Sequence, residues 1–268
     1  MEGASARIRA PELCDWLLSH GRSFVTTEQA AALLEVPPGQ VRTRLHAPVS
    51  RGELISPARG FWVPVAPQYR TWGAPPPAEL VDTLMAHLDR EYYVGWLSAS
   101  ELLGAAHQRP QVFQVAVDAS VADRRIGRAR WEFTVRSNVS RRPRTRRQVP
   151  TGYVWVSTPE VTVLDLCDDP LRAGGLSNAA TVIGELAEDD LIDVAALVRV
   201  ADLFPAAAGR RAGWVLSMVA PDLEVSGLAE AVARRVASPS LLRADRSEHG
   251  PIDARWQIRV NADVEPDL

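Results

Sequence analysis

The hydrophobic period of the chain is helical three times and then strand-like, all before residue 66, and that succession leaves few folds open. Pro11 opens a short stretch in which Leu13, Trp16 and Leu17 share one helical face, closed by His20-Gly21. Thr26 followed three residues on by Gln29 is a capping-box pattern, starting a second helix with Ala30, Leu33 and Leu34 inward. Pro37-Pro38-Gly39 breaks the chain, and Pro38 suits the first position of a third helix. There Val41, Leu45 and Val49 repeat every four residues. Pro48, with no N–H to donate, is expected to end or kink that helix near Ala47. Glu53–Val65 reads as two short strands about a Pro57–Gly60 turn. Helix, helix, tight turn, helix, hairpin is the order of a winged helix-turn-helix.

An α-helix fits the major groove of duplex DNA, and the third helix is the one such a head presents. With Val41, Leu45 and Val49 on the core, its opposite face carries Gln40, Thr43, Ala47 and Ser50. Arg44, His46 and Arg51 flank that face, and Arg42 lies nearer the core. Arg59 stands at the hairpin tip, where a wing meets phosphate. The candidate DNA-contact set is Thr27, Gln40, Arg42, Thr43, Arg44, His46, Arg51 and Arg59. The plain alternative is a three-helix cluster whose short polar face is merely solvated.

Beyond the head, Pro64–Pro77 reads as a linker. A helix follows with Leu80, Leu84 and Leu88 on one face, then strands at Tyr92–Trp96, Val112–Val117, Arg130–Arg136 and Tyr153–Ser157. Trp131, Phe133 and Val135 alternate inward on the third of these. Ser98 with Glu101, and Ser157 with Glu160, are further capping-box patterns. From Asn178 to Val236 the pattern is helical, and Trp256, Ile258 and Val260 mark a last strand. The expected architecture is a winged helix-turn-helix (1–66), a linker (67–78) and a mixed α/β domain (79–268).

The formal charge of −3 hides a strong asymmetry. Ten arginines and only two acids, Asp123 and Glu132, fall within residues 122–147, whereas 148–268 is markedly acidic. Like charges repel when unpaired, so the run has three fates: a mobile loop over Ser140–Gln148, internal neutralisation by the acidic half, or a second contact with DNA backbone or an acidic partner. The residues for that second contact are Arg124, Arg125, Arg141, Arg142, Arg144, Arg146 and Arg147.

No lysine occurs anywhere, so GxxxxGK[ST] phosphate loops and lysine-dependent nuclease sites are excluded. GxGxxG, HExxH and GxSxG are also absent. Asp165-Leu166-Cys167-Asp168-Asp169 has the wrong spacing for a nucleotidyltransferase carboxylate pair and reads as a helix end entering the Pro170 turn. Asp118 with Glu132 leaves a weak metal-nuclease alternative. His107-Gln108 reads as a helix end, Tyr92, Tyr93 and Trp96 as core, and Asn261 as a turn residue. Cys14 and Cys167 read as two buried thiols in a reduced cytoplasm. No cofactor, metal site or membrane span is expected, and no catalytic residues are assigned.

Several blocks are similar to AbiEi-type antitoxins: Pro67-Gln68-Tyr69-Arg70-Thr71-Trp72-Gly73, Tyr92-Tyr93-Val94-Gly95-Trp96-Leu97-Ser98-Ala99, Gly104-Ala105-Ala106-His107-Gln108, Ser157-Thr158-Pro159-Glu160-Val161-Thr162, and the closing Val260–Leu268 segment. The resemblance implies a winged helix followed by an α/β antitoxin domain. It implies binding to double-stranded repeats in the protein's own promoter and repression of a two-gene operon. The partner gene would encode a nucleotidyltransferase-like toxin, counteracted often without a stable complex, in a system associated with phage resistance. Pro48 departs from the family's pattern, which has a bulky helix-packing residue there, and bears on the length of the reading helix. Two rivals remain: a ligand-responsive regulator, which needs a deep apolar pocket, and the metal-dependent DNA nuclease.

Overall fold

The computed structural model describes residues 8–105, 110–235 and 238–267. Along the chain come α1 (Leu13–Ser19), β1 (Val25–Thr26), α2 (Thr27–Leu34), α3 (Pro38–Arg44), α4 (His46–Ser50), β2 (Leu54–Ala58), β3 (Phe61–Pro64) and α5 (Pro77–His87). Then follow β4 (Tyr92–Val94), α6 (Trp96–Leu103), β5 (Phe113–Val117), β6 (Arg124–Ile126), β7 (Ala129–Val135), β8 (Arg144–Val149), β9 (Gly152–Ser157) and α7 (Pro159–Asp168). The chain ends with α8 (Leu176–Glu188), α9 (Val194–Ala201), α10 (Ala206–Val219), α11 (Ser226–Ala233), β10 (Ser240–Leu241), β11 (Ile252–Asp253) and β12 (Ile258–Arg259). The fold is mixed α/β, as expected.

Two compact units emerge. The first comprises Met1–Glu91, Val121–Phe133 and Gln148–Val154, the second Tyr92–Ser120, Thr134–Arg147 and Trp155–Leu268.

In the first unit, helices α1 to α3 bury Leu13, Leu17, Ala30, Leu34, Val41 and Leu45 against Leu54 and Trp62 of the hairpin. The expected capping box forms: the Thr26 N–H donates to Gln29 Oε1 at 2.9 Å, and Gln29 N–H to Thr26 Oγ1 at 3.3 Å. The hairpin gains a third strand that the sequence did not announce, giving the order β1-β3-β2. Residues 67–74 form a 3-10 turn and further turns rather than open coil, with the Tyr69 hydroxyl donating to Glu79 at 2.9 Å, and Pro77 already opens α5.

Pro48 acts earlier than expected. Its missing N–H orphans the Arg44 carbonyl, and the helix breaks at Leu45 (φ −86°, ψ 0°), one turn before the proline, rather than near Ala47. The break re-aims the last turn: Pro48 is buried and Val49, expected inward, is 38% exposed.

The second unit holds the antiparallel β4–β5 pair and the parallel β4–β9 pair of a sheet of order β6-β7-β5-β4-β9-β8, of which β6 and most of β7 fall in the first unit. Helix α7 packs against α6, α8, α9 and α10, and its residues Glu160 to Cys167 are all buried. Three expectations fail here. The Ser98 hydroxyl accepts from Gln114 N–H at 2.9 Å instead of capping, and α6 begins two residues earlier. The Ser157 hydroxyl bonds Val94 O and Thr162 Oγ1, leaving Pro159 to start α7 without a capping box. Val135, expected inward, is 53% exposed. The last strand is present, and β12 joins β10 and β11 in a small sheet of its own.

Candidate nucleic-acid interface

The break at Leu45 sets what the head presents. Val41, Leu45 and Pro48 point to the core, while Gln40, Arg42, Thr43, Arg44, His46, Ala47, Ser50 and Arg51 are exposed. Among the described residues no ion pair involves Arg42, Arg44 or Arg59. Arg51 differs. Its guanidinium holds Glu53 through two contacts of 2.8 and 3.0 Å, which also depresses the Glu53 carboxyl, so any phosphate must compete with that carboxylate.

Thr27 is taken up structurally. Its hydroxyl accepts from the Trp62 indole N–H at 3.1 Å, and its N–H donates to Gly60 O at 2.9 Å, tying the wing to α2. The Arg59 carbonyl accepts from His87 Nε2 at 3.0 Å, so the tip backbone is held while the Arg59 side chain stays exposed. A wing fixed this way has little ordering entropy left to lose on binding.

The arginine run divides. Arg142 is 3% exposed and does not belong to any contact surface: it is buried against Asp165 at 3.0 Å and the Tyr93 hydroxyl at 2.7 Å, with its guanidinium 3.8 Å from the Phe204 ring centre. Arg136 pairs with Asp168 at 2.8 Å. For these two, neutralisation by the acidic half is what occurs. Ser140–Gln148 is not a loop throughout: it holds a 3-10 turn at Val139–Arg141 and strand β8. Arg144 and Arg146 lie over the Trp155 ring at 5.0 and 4.8 Å, and Arg141 and Arg147 are exposed. Arg124 is half-buried over the Phe133 ring, whereas Arg125 is exposed.

The sequence reading takes Asp165 as part of a helix end, Tyr93 as core and Arg142 as a surface contact and does not pair them, although a single acid inside the apolar run Val161–Cys167 signals a buried ion pair. Burial pushes its carboxyl up from 3.8 to about 6, against the opposing pull of Arg142, Arg136 and the Tyr93 hydroxyl; its Oδ2 has no partner among the described residues. Between about pH 4 and 6 the folded chain keeps a proton there that the unfolded chain releases. That contribution is complete below pH 3.8 and gone once pH exceeds about 6. Urea melts across this range are expected to show parental stability falling relative to Asp165→Asn, by roughly 3 kcal/mol at full extent. Parallel profiles would contradict the assignment.

A cleft of about 360 Å³ in the second unit is lined by Arg136, Ser137, Arg142, Asp168 and Asp202 together with Val135 and the Leu203–Pro205 turn. Its polar lining is not the deep apolar pocket that a small-molecule sensor requires. Among the described residues no group of three or more His, Cys, Asp or Glu could hold a metal ion, and no helix is long and apolar enough to cross a membrane. His107-Gln108 lies outside the described residues. Tyr92, Tyr93 and Trp96 are core, and the Asn261 side chain clamps a turn through Arg243 and Ser247. Cys14 and Cys167 are buried free thiols, the latter pushed up to about 12 by burial.

The fold is shared with a crystal structure of the RV2827C protein from Mycobacterium tuberculosis, at 15% identity and a TM-score of 0.65, covering 96% of this chain and 94% of that one. No curated protein matches the sequence. The family model of the AbiEi antitoxin C-terminal domain matches residues 93–218, a span running from β4 almost to the end of α10. Over those residues the chain is similar to the C-terminal domain of the AbiEi antitoxins, the antitoxin side of a toxin–antitoxin system.

Proposed function

We propose that the chain is a cytoplasmic autorepressor as well as an antitoxin. The first unit binds double-stranded repeats in its own promoter, and the AbiEi domain counteracts a nucleotidyltransferase-like toxin encoded beside it. The observation that carries the DNA-binding half is the exposed edge of α3 and α4: Gln40, Thr43 and Arg44 face solvent beside a wing whose tip arginine has no acidic partner among the described residues. In this reading Gln40, Thr43 and Arg44 meet base edges, and Arg42 and Arg59 meet phosphates, with Arg51 joining once Glu53 is displaced.

Gel-shift titration of the upstream DNA tests it. Arg44→Ala is expected to weaken binding to that DNA by about 1–3 kcal/mol and to change binding to an unrelated duplex far less. Equal losses on both duplexes would make Arg44 a phosphate contact, and no loss on either would remove it from the interface. The antitoxin half is tested by co-expression with the neighbouring gene. Growth is expected to be rescued by the full chain, and also by Arg44→Ala when both genes are driven from a foreign promoter.

A further inference from the structure

The hairpin of β6 and β7 belongs to the same compact unit as the winged head, and β6 lies against the outer wing strand β2. Its register sets Arg125 directly opposite Arg130, with Ile126 opposite Ala129 and Arg128 in the turn between them. Opposed residues of an antiparallel pair share a face, so two guanidiniums stand abreast there, an arrangement that destabilises a hairpin by itself. All three arginines are exposed, and among the described residues no hydrogen bond or ion pair answers their side chains. The neighbouring Asp123 is occupied, accepting from Phe133 N–H at 2.8 Å.

Protection of a sheet edge does not explain the pair. β6 is the edge strand and one arginine on it would suffice, but Arg130 sits on β7, inside the sheet order. The hairpin is also fixed in place. Arg128 N–H donates to Trp72 O at 2.8 Å, and Gly127 (φ +56°) crosses the Trp72-Gly73 backbone so closely that a Cβ would stand 2.1 Å from Trp72 O. A rigid, uncompensated cationic hairpin beside the wing matches one kind of occupant, a regularly spaced polyanion.

We infer that the β6–β7 hairpin is a second wing, whose Arg125, Arg128 and Arg130 bind the sugar–phosphate backbone of duplex DNA flanking the segment read by α3, without reading sequence. This rests on the DNA-binding reading above and extends it to residues far along the chain from the head.

The test is fluorescence-anisotropy titration of labelled upstream DNA and of an unrelated duplex of equal length, over a series of NaCl concentrations, with melting curves confirming the fold. Replacing the three arginines together (Arg125→Gln, Arg128→Gln, Arg130→Gln) is expected to weaken both duplexes alike, by about ten- to a hundredfold near physiological salt. The slope of log K against log salt should become shallower by about 2–3. The ratio between the duplexes should stay at the parental value, whereas Arg44→Ala lowers that ratio. Gly127→Val, which displaces the hairpin without changing charge, should reproduce the loss; if that variant does not fold, the arginine replacement alone decides. Parental affinity and slope in the triple variant would overturn the second wing and leave the head's role standing. A parent that binds neither duplex would overturn both.

Discussion

Arg142→Met is expected to lower the stability of the chain by about 3–5 kcal/mol near neutral pH. Asp165 is fully buried in α7 and Arg142 is its counter-ion at 3.0 Å, with the Tyr93 hydroxyl donating to the same Oδ1 at 3.2 Å. Removing the guanidinium leaves a carboxylate with no compensating charge at contact distance, and it also strips the Phe204 ring of its cation. Methionine keeps most of the volume, so the loss reports charge rather than a cavity. Two further results follow from the same physics. The penalty should shrink at about pH 4, where the carboxyl can hold a proton, and Arg142→Met combined with Asp165→Leu should recover most of the stability. A loss under about 1 kcal/mol for the single variant would show that the pair is not buried as described.

Gly213→Ala is the second large effect, and its sign opposes the helix-propensity rule. In an open helix this change stabilises by up to about 1 kcal/mol. Gly213 lies in α10 under the ring of Trp256, and a Cβ would stand 1.9, 2.2 and 2.3 Å from three ring carbons. The ring is 1% exposed, and its N–H donates to Ser217 Oγ at 3.0 Å, so it cannot swing aside without losing both burial and that bond. We expect a loss of about 3 kcal/mol and a fall of about 6–12 °C in Tm. Trp256→Ala in the same chain should make the glycine change nearly neutral. Gly39→Ala supplies the internal contrast: nothing lies within 4 Å of its Cβ position in α3, so Tm should hold or rise.

The parts of this molecule legible in the sequence are those decided by neighbours along the chain. The Thr26–Gln29 box, Pro38 at the first turn of α3 and the hairpin about Gly60 each depend on a few adjacent residues, and each stands where expected. The same motif logic failed at Ser98 and Ser157 because both hydroxyls are claimed by partners remote in sequence or across a strand. Pro48 was noticed, but its effect falls on the carbonyl four residues back, which moves the break to Leu45 and turns Val49 outward.

The arginine run shows the limit most clearly. Arg141, Arg142 and Arg144 are chemically identical, yet one is exposed, one is buried on an aspartate and one lies over Trp155. Only the fold, by bringing α7 under residue 142, separates them. The cationic hairpin was visible as charge, whereas its attachment beside the wing depends on the Gly127 crossing, which no local pattern announces.

The central claim is that the first unit offers the exposed edge of α3 and α4 to a particular stretch of duplex DNA. Competition titration at one fixed salt concentration, with the purified parent chain against its upstream DNA and a scrambled duplex of the same composition, tests it most directly. A preference for the upstream DNA of about 10³ or more is expected. Equal affinity for the two duplexes, or no binding to either, would contradict it.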